Sequence, residues 1–279
     1  MPELPEVETV CRSLEQLIIG KTITKVSVLY QNIIQGDINE FVSLLEGQTF
    51  QKIRRRGKYI IFILDDYIIL SHLRMEGKFF LKGDEEINKH EHVIFYFNNN
   101  ESLRYNDTRK FGRMILFKTN DVNKVLEVEP LSKLGIEPVN NSIININNEL
   151  TIEYLKEKFK SKKEPIKTAL LDQSIICGLG NIYADEVCFM ARINPNANPS
   201  TLDDDKLKEI ITSSNIVLSK EINLGGTTIK SFVSSHKITG LFQNELLVHT
   251  KKICPQCHGE IEKIYVRGRG TYYCKNCQK

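Results

Sequence analysis

The sequence predicts an α+β chain. An N-terminal helix runs into an antiparallel β-sandwich or barrel, a helical domain follows, and a small cysteine-closed module ends the chain. Three observations predict this. Apolar residues recur at helical spacing near the start, the period turns strand-like from 20 to about 117, and helical spacing returns from 152. Two Cys-x-x-Cys pairs then close the sequence. With 279 residues, 41% of them hydrophobic, the chain can bury a sizeable core and suits two domains plus a small third module. The expected division is 1–132, 133–225 and 226–279.

Val7, Val10, Leu14 and Leu17 form one face of an amphipathic helix. Pro5 stands where its first turn starts, and Glu6 and Glu8 favour its positive end. The opening "MPELPEVETV" still poses a question, because two prolines and three acids crowd eight residues at a place where chains usually fray. Next, "TITKVSVLY", "YIIFILDDYIILSHL", "HVIFYFNNNESLRYND" and "RMILF" are rich in β-branched and aromatic residues, with short Asp or Asn turns between them. Residues from about 130 to 150 carry Pro, Gly and many Asn, and read as a linker. Ile152, Leu155 and Phe159, then Leu207, Ile210, Ile211 and Leu218, restore the helical period. Between them "DQSIICGLGNIYADEVCFMARINP" reads as two helices joined by a tight glycine turn, the second opening at Asn181. "LGGTTIKSFVSSHKITGLFQNEL" reads as a mobile loop.

No run of eighteen apolar residues is present, so no membrane span is expected, and the N-terminus lacks a secretory pattern. Seven cysteines, an odd count, argue against a secreted disulfide framework and for a reducing cytosol. The net charge of +3 announces nothing, but its placement does. Residues 52–58, "KIRRRGK", are intensely basic, and residues 250–279 hold seven Lys or Arg against two Glu.

Cys254 and Cys257 are separated from Cys274 and Cys277 by sixteen residues, a spacing that lets four thiolates surround one structural Zn²⁺. So short a segment could not fold without such a staple. His258 reads as a bystander, since four cysteines already close the site. In "VRGRGTYYC", glycines flank Arg269, whose planar guanidinium suits phosphate. A solvated arginine in a hairpin turn fits the same residues. In "GLGNIYADE", backbone N–H groups and the Asn181 amide at a helix N-terminus suit phosphate too, while a ligand-free helical corner reads alike. Together these features favour nucleic acid over other anions.

Five stretches, in order and from end to end, resemble the formamidopyrimidine-DNA glycosylase family of base-excision repair enzymes. They are "MPELPEVETV", "RRRGKYI", "DTRKFGR", "GLGNIYADE" and the zinc finger's "GRGTYYC". The resemblance implies a β-sandwich with an N-terminal helix, a helix-two-turn-helix domain and a C-terminal zinc finger. It implies a bifunctional glycosylase and AP lyase that excises oxidised purines such as 8-oxoguanine and formamidopyrimidines, then nicks the strand by β,δ-elimination. It also accounts for the opening residues: once Met1 is removed, Pro2 is the nucleophile. An N-terminal amine has a pKa near about 8, against about 10.4 for lysine, so part of it is unprotonated at neutral pH.

Carried over position by position, Glu3 protonates the opening deoxyribose and Lys58 serves β-elimination and a phosphate near the lesion. Arg269 binds phosphate and is linked to δ-elimination, with Asn181 as its companion. Met75 and Phe111 wedge into the gap left by the extruded nucleotide, and Arg109 meets the orphaned cytosine. His90 and Lys162 align with further DNA contacts, and residues around 225–242 with the segment that covers the flipped base. The sequence departs from the family at Thr108, at His258 before the usual glycine, and in "HLRMEG". The implied partner is damaged double-stranded DNA, bound by a monomer in the bacterial cytoplasm at the nucleoid, with no catalytic metal. Two rivals remain: an endonuclease VIII-type glycosylase for oxidised pyrimidines, disfavoured by Leu4 and the "TRKFG" phenylalanine, and a non-catalytic zinc-ribbon DNA-binding protein.

Overall fold

A computed structural model gives the fold and describes residues 1–139, 149–225 and 245–279. Part of the expected linker and most of the expected loop after 225 lie outside the described residues. Helix α1 (Leu4–Ile18) begins where Pro5 predicts. Strands β1 (Lys25–Val28) and β2 (Ile34–Gln35) follow, then helix α2 (Ile38–Leu45), then β3 (Phe50–Arg56), β4 (Tyr59–Leu64), β5 (Ile68–His72), β6 (Lys78–Lys82), β7 (Glu91–Tyr96), β8 (Ser102–Asn106) and β9 (Arg113–Phe117).

They form two sheets, β1-β7-β8-β6 and β2-β9-β5-β4-β3, and thus a sandwich. Its pairing is antiparallel except at one edge, where the two residues of β2 run parallel to β9. Phe50, Phe62, Phe79, Phe95 and Tyr105 interlock between the sheets, mostly edge to face. The outer face of β4 and β5 is covered by Val125 of α3 (Val122–Leu126) and by Leu131. Strands buried on both faces read as unbroken apolar runs, hence "YIIFIL" and "YIIL". The stretch read as all strand also contains α2. Asp37 caps it by accepting the Glu40 N–H, and Phe41 and Leu45 bury one stripe.

The helical part comprises α4 (Ile152–Phe159), α5 (Ile166–Leu171), α6 (Asn181–Met190) and α7 (Asp204–Leu224). Asn181 opens α6 as expected, but the helix before the glycine turn is α5, upstream of the predicted one. Residues 172–180 are a turn, with Asp172 accepting from Ser174 and Ile176 bridging to Ile136. The finger hairpin pairs β10 (Glu262–Val266) with β11 (Arg269–Tyr273) through Arg267 and Gly268, both at positive φ as a type I′ turn requires.

The basic run is not a solvated patch. Arg55 is 2% exposed and Arg56 5%. Arg55 pairs with Glu8 at 2.8 Å and Glu137 at 2.9 Å, and Arg56 with Glu137 at 3.0 Å. Burial alone would raise the Glu137 carboxyl, but the two guanidinium charges outweigh it and hold the pKa below the usual range. This contribution to stability is present above the unfolded carboxylate pKa and is lost as pH falls through the lower folded value. Glu137→Ala, which leaves buried Arg56 without a carboxylate and buried Arg55 with Glu8 alone, is expected to cost about 3–5 kcal/mol in urea unfolding at pH 7. A loss under about 1 kcal/mol would mean the run is solvated after all.

Candidate active site

The N-terminus is wedged between the two cores. Leu4 packs with the helical core, whereas Val7, Val10, Leu14 and Ile18 of the same helix pack with the sandwich. Glu3 is 2% exposed, and its carboxylate lies over the start of α6. It accepts from the backbone N–H of Gly180 at 2.6 Å, Ile182 at 2.9 Å and Tyr183 at 3.4 Å. The glycine turn is therefore not a phosphate cradle: the chain's own glutamate occupies the N–H groups that a phosphate would take. A Cβ on Gly180 would sit 2.3 Å from the Glu3 Cδ, and one on Gly178 2.3 Å from a Leu4 methyl. The glycines are there so that the N-terminus can approach.

Lys58 faces the same point. It follows Gly57, which has φ +56, in the two-residue turn between β3 and β4. It is 5% exposed and donates to the Leu179 carbonyl at 2.7 Å. Burial lowers its pKa, Glu3 pulls the other way, and Arg269 is near enough to add to the lowering. Burial likewise raises the Glu3 carboxyl against the pull of Lys58. Both groups are thus driven toward their neutral forms. Half-buried Pro2 immediately precedes Glu3.

Arg269 is exposed at the start of β11. The next residue, Gly270, is gripped through its carbonyl by the Asn181 amide at 2.9 Å and the buried Lys167 ammonium at 3.1 Å. Asn181 therefore spends one N–H on the finger hairpin, where a phosphate contact was expected. Lys167 also pairs with Asp185 at 2.6 Å, and Asp185 accepts from the Tyr272 N–H at 3.2 Å and lies 2.7 Å from His249 Nδ1. Glu186 accepts three successive N–H groups, of Leu247, Val248 and His249. Lys162 pairs with Asp172 at 2.9 Å and lines, with Arg267 and Arg269, a cleft of about 300 Å³.

Sheet register sets the remaining group. Arg56, Tyr59, His72 and Arg113 lie in one row across β3, β4, β5 and β9. The Lys58 turn, the loop 73–77 and the loop 107–112 therefore leave the same end of the sandwich. Met75 (39%) and Phe111 (47%) are exposed there, and the Arg109 guanidinium stacks 4.8 Å from the Phe111 ring centre. Buried Asp107 shapes the second loop by accepting the N–H groups of Arg109, Phe111 and Gly112. Gly77 and Gly112 both leave room for the Tyr105 hydroxyl. Thr108 donates to Glu76, tying the loops together. Half-buried His90 lies beside them, its carbonyl accepting the Asp107 N–H at 2.9 Å.

The sulfurs of Cys254, Cys257, Cys274 and Cys277 lie within 4.8 Å of one another, with Cys254–Cys277 at 3.7 Å and Cys257–Cys274 at 3.5 Å. A tetrahedron of about 2.3 Å Zn–S bonds has edges of about 3.8 Å, so the donor set fits Zn²⁺. His258 is exposed and outside the set. It turns the knuckle with φ +56, a conformation that glycine adopts more cheaply.

Three family models match in sequence order. They are the formamidopyrimidine-DNA glycosylase N-terminal domain (residues 1–114), the formamidopyrimidine-DNA glycosylase H2TH domain (134–233) and the zinc finger found in FPG and IleRS (252–279). The formamidopyrimidine-DNA glycosylases of Cytobacillus firmus and Bacillus licheniformis are 45% and 46% identical to the chain, each alignment covering both proteins fully. The chain belongs to the formamidopyrimidine-DNA glycosylase family. Lactococcus lactis Fpg superposes over the whole of both chains, with TM-scores of 0.89, 0.89 and 0.88. In those structures it is bound to DNA containing N7-benzyl-Fapy-dG, an abasic site and an oxidised pyrimidine, at 39%, 38% and 38% identity.

As a member of this family of DNA glycosylases, the chain carries a zinc finger whose attachment the sequence reading missed. Lys167, Asp185, Glu186 and His249 bind it to the helical domain, and Asp107 shapes the exposed loop. The signals were faint: two adjacent acids in an otherwise apolar helix, and an Asp just before a turn. Cys11, Cys177 and Cys188 are buried and unpaired, and burial pushes the Cys177 thiol up to about 12.

Gly180→Ala is expected to expel the Glu3 carboxylate and cost about 3 kcal/mol, a fall of roughly 6 °C or more in Tm. An unchanged Tm would mean the carboxylate is not held there. Zinc chelation is expected to abolish DNA binding while the strand signal in far-UV circular dichroism persists. Binding that survives chelation would remove the finger from the DNA interface.

Proposed function

We propose that the protein is a bifunctional glycosylase and AP lyase that removes oxidised purines, 8-oxoguanine and formamidopyrimidines, from double-stranded DNA. The carrying observation is the burial of Glu3, which follows Pro2, and of Lys58, each near enough to act on the other's charge and each pushed toward its neutral form. With Met1 removed, the Pro2 nitrogen is a secondary amine. It bonds to the sugar C1′ as the bond to the damaged base breaks. The C1′–O4′ bond then opens, with a proton passing from Glu3 to O4′, and an iminium remains. Loss of a C2′ proton expels the 3′ phosphate, and a second elimination expels the 5′ phosphate. Lys58 gives up a proton more readily than a solvated lysine, which supports its part in the first elimination; Arg269 steadies phosphate in the second.

In this reading Met75 and Phe111 fill the space left by the extruded nucleotide and Arg109 meets the base opposite. His90, Lys162 and the second N–H of Asn181 serve the DNA backbone. The chain acts as a monomer, in the bacterial cytoplasm at the nucleoid, with parts divided at 132/133 and 225/226. A second reading, activity on oxidised pyrimidines, draws on the L. lactis complex with such DNA.

Borohydride trapping on an 8-oxoguanine·cytosine duplex tests both. A covalent complex is expected with the wild type, and at least tenfold less with Pro2→Gly or with residues retained before Pro2. Faster capture on thymine-glycol DNA would favour the second reading. Tight binding without capture on any lesion would leave a non-catalytic DNA-binding protein.

A further inference from the structure

Two exposed arginines, Arg267 and Arg269, flank Gly268 where β10 turns into β11. Among the described residues, neither guanidinium has a hydrogen bond or an ion pair. Both line the cleft that also holds Lys162, Glu164 and Asp172. Asp172 is taken up by Lys162 at 2.9 Å and by the Ser174 hydroxyl at 2.6 Å. Glu164 is exposed and pairs with neither arginine. Three cations thus face two acids, and the arginines are the pair left without partners. Arg267 also stands where an arginine fits badly. It has φ +47, at the first central position of a type I′ turn, which asparagine, aspartate or glycine takes with less strain. Nothing in the fold compensates for that strain, which points to a use outside the fold.

We propose that Arg267 binds a second backbone phosphate of the damaged strand, the neighbour of the one that Arg269 reaches, so that the cleft clamps two successive phosphates. The proposal rests on the reading of Arg269 as a phosphate contact. A planar guanidinium donates two parallel hydrogen bonds to a phosphate, and a nucleic-acid strand offers phosphates in series. The arginines leave one turn, two residues apart, and line one cleft, so the groups they reach are neighbours on one strand. The turn itself is held still. Behind it the Gly270 carbonyl accepts from Asn181 at 2.9 Å and from Lys167 at 3.1 Å, and Lys167 also donates to the Thr271 hydroxyl at 2.8 Å. Both guanidinium groups therefore rise from a fixed base on the helical domain. Lys162 brings less to the clamp, because Asp172 already balances its charge. One phosphate contact is a pivot; two set the direction of the strand as well as its position.

The test is equilibrium binding of the zinc-loaded full chain to a duplex carrying a tetrahydrofuran abasic analogue, across about 50–200 mM NaCl, for wild type, Arg267→Asn and Arg269→Ala. Asparagine suits the turn, so R267N is expected to melt no lower than wild type. It is expected to bind several-fold more weakly and to lower the slope of log K against log salt by about 0.9, the share of one phosphate. Removing any nearby charge weakens binding somewhat, so a second arm locates the contact. The phosphates flanking the lesion, on each strand, are replaced one at a time by neutral methylphosphonates. One replacement on the damaged strand is expected to weaken wild type several-fold and R267N not at all. The replacement to which R269A is insensitive is expected at the adjacent phosphate. An unchanged slope in R267N overturns the proposal, as does finding the R267N-insensitive phosphate on the opposite strand or finding none. If R267N does not fold, Arg267→Gly takes its place in both arms. Weaker binding by R269A but not by R267N overturns this proposal alone. Unchanged binding and slope in R269A overturn the reading of Arg269 and this proposal with it.

Discussion

The rest of the site hangs on one buried carboxylate. Glu3 is drawn out of water by three N–H groups at the start of α6, and it brings the N-terminus with it. Removing an acid from water is costly; the positive end of the helix and Lys58 offset part of that cost, and burial still pushes the Glu3 pKa up. The arrangement forces Leu4 into the helical core and keeps the rest of α1 on the sandwich. It also forces glycine at 178 and 180, since any side chain there would meet Leu4 or Glu3. A chain end that would otherwise fray thus becomes a fixed reference point between two cores.

Charge pointed inward recurs elsewhere, with the same consequence. Glu8, Arg55, Arg56 and Glu137 lock the hairpin that ends in Lys58. Lys167, Asp185 and Glu186 clamp the finger so that Arg269 emerges near Lys58. Such networks add little net stability against an apolar alternative, but a satisfied network has one geometry and apolar packing tolerates many. Glu3, Lys58 and Arg269 are held in this way.

The element order, the helical and strand periods and the cysteine set were legible because each is a local pattern. α1 followed from Val7, Val10 and Leu14, and the zinc site from the spacing of Cys254, Cys257, Cys274 and Cys277. α2 was missed although Asp37 and the apolar spacing marked it, because its neighbours on both sides read as strand. The inward pairing of the arginines at 55 and 56 was not legible because their partners, Glu8 and Glu137, lie 47 and 81 residues away. The glycine turn looked like an anion site for a sound local reason: α6 does present N–H groups there, and the anion is residue 3 of the same chain.

By itself the sequence determined most of the elements, the metal-binding thiols and, through its motifs, the family. Those depend on side-chain type and spacing within one stretch. Only the tertiary structure decided which charges face inward, what Asn181 and Lys167 hold, and that Glu3, Glu6 and Tyr183 meet at the start of α6 with Lys58 bound to the Leu179 carbonyl beside them. Protonation follows from burial and from neighbours distant in the chain, and neither exists until the chain has folded.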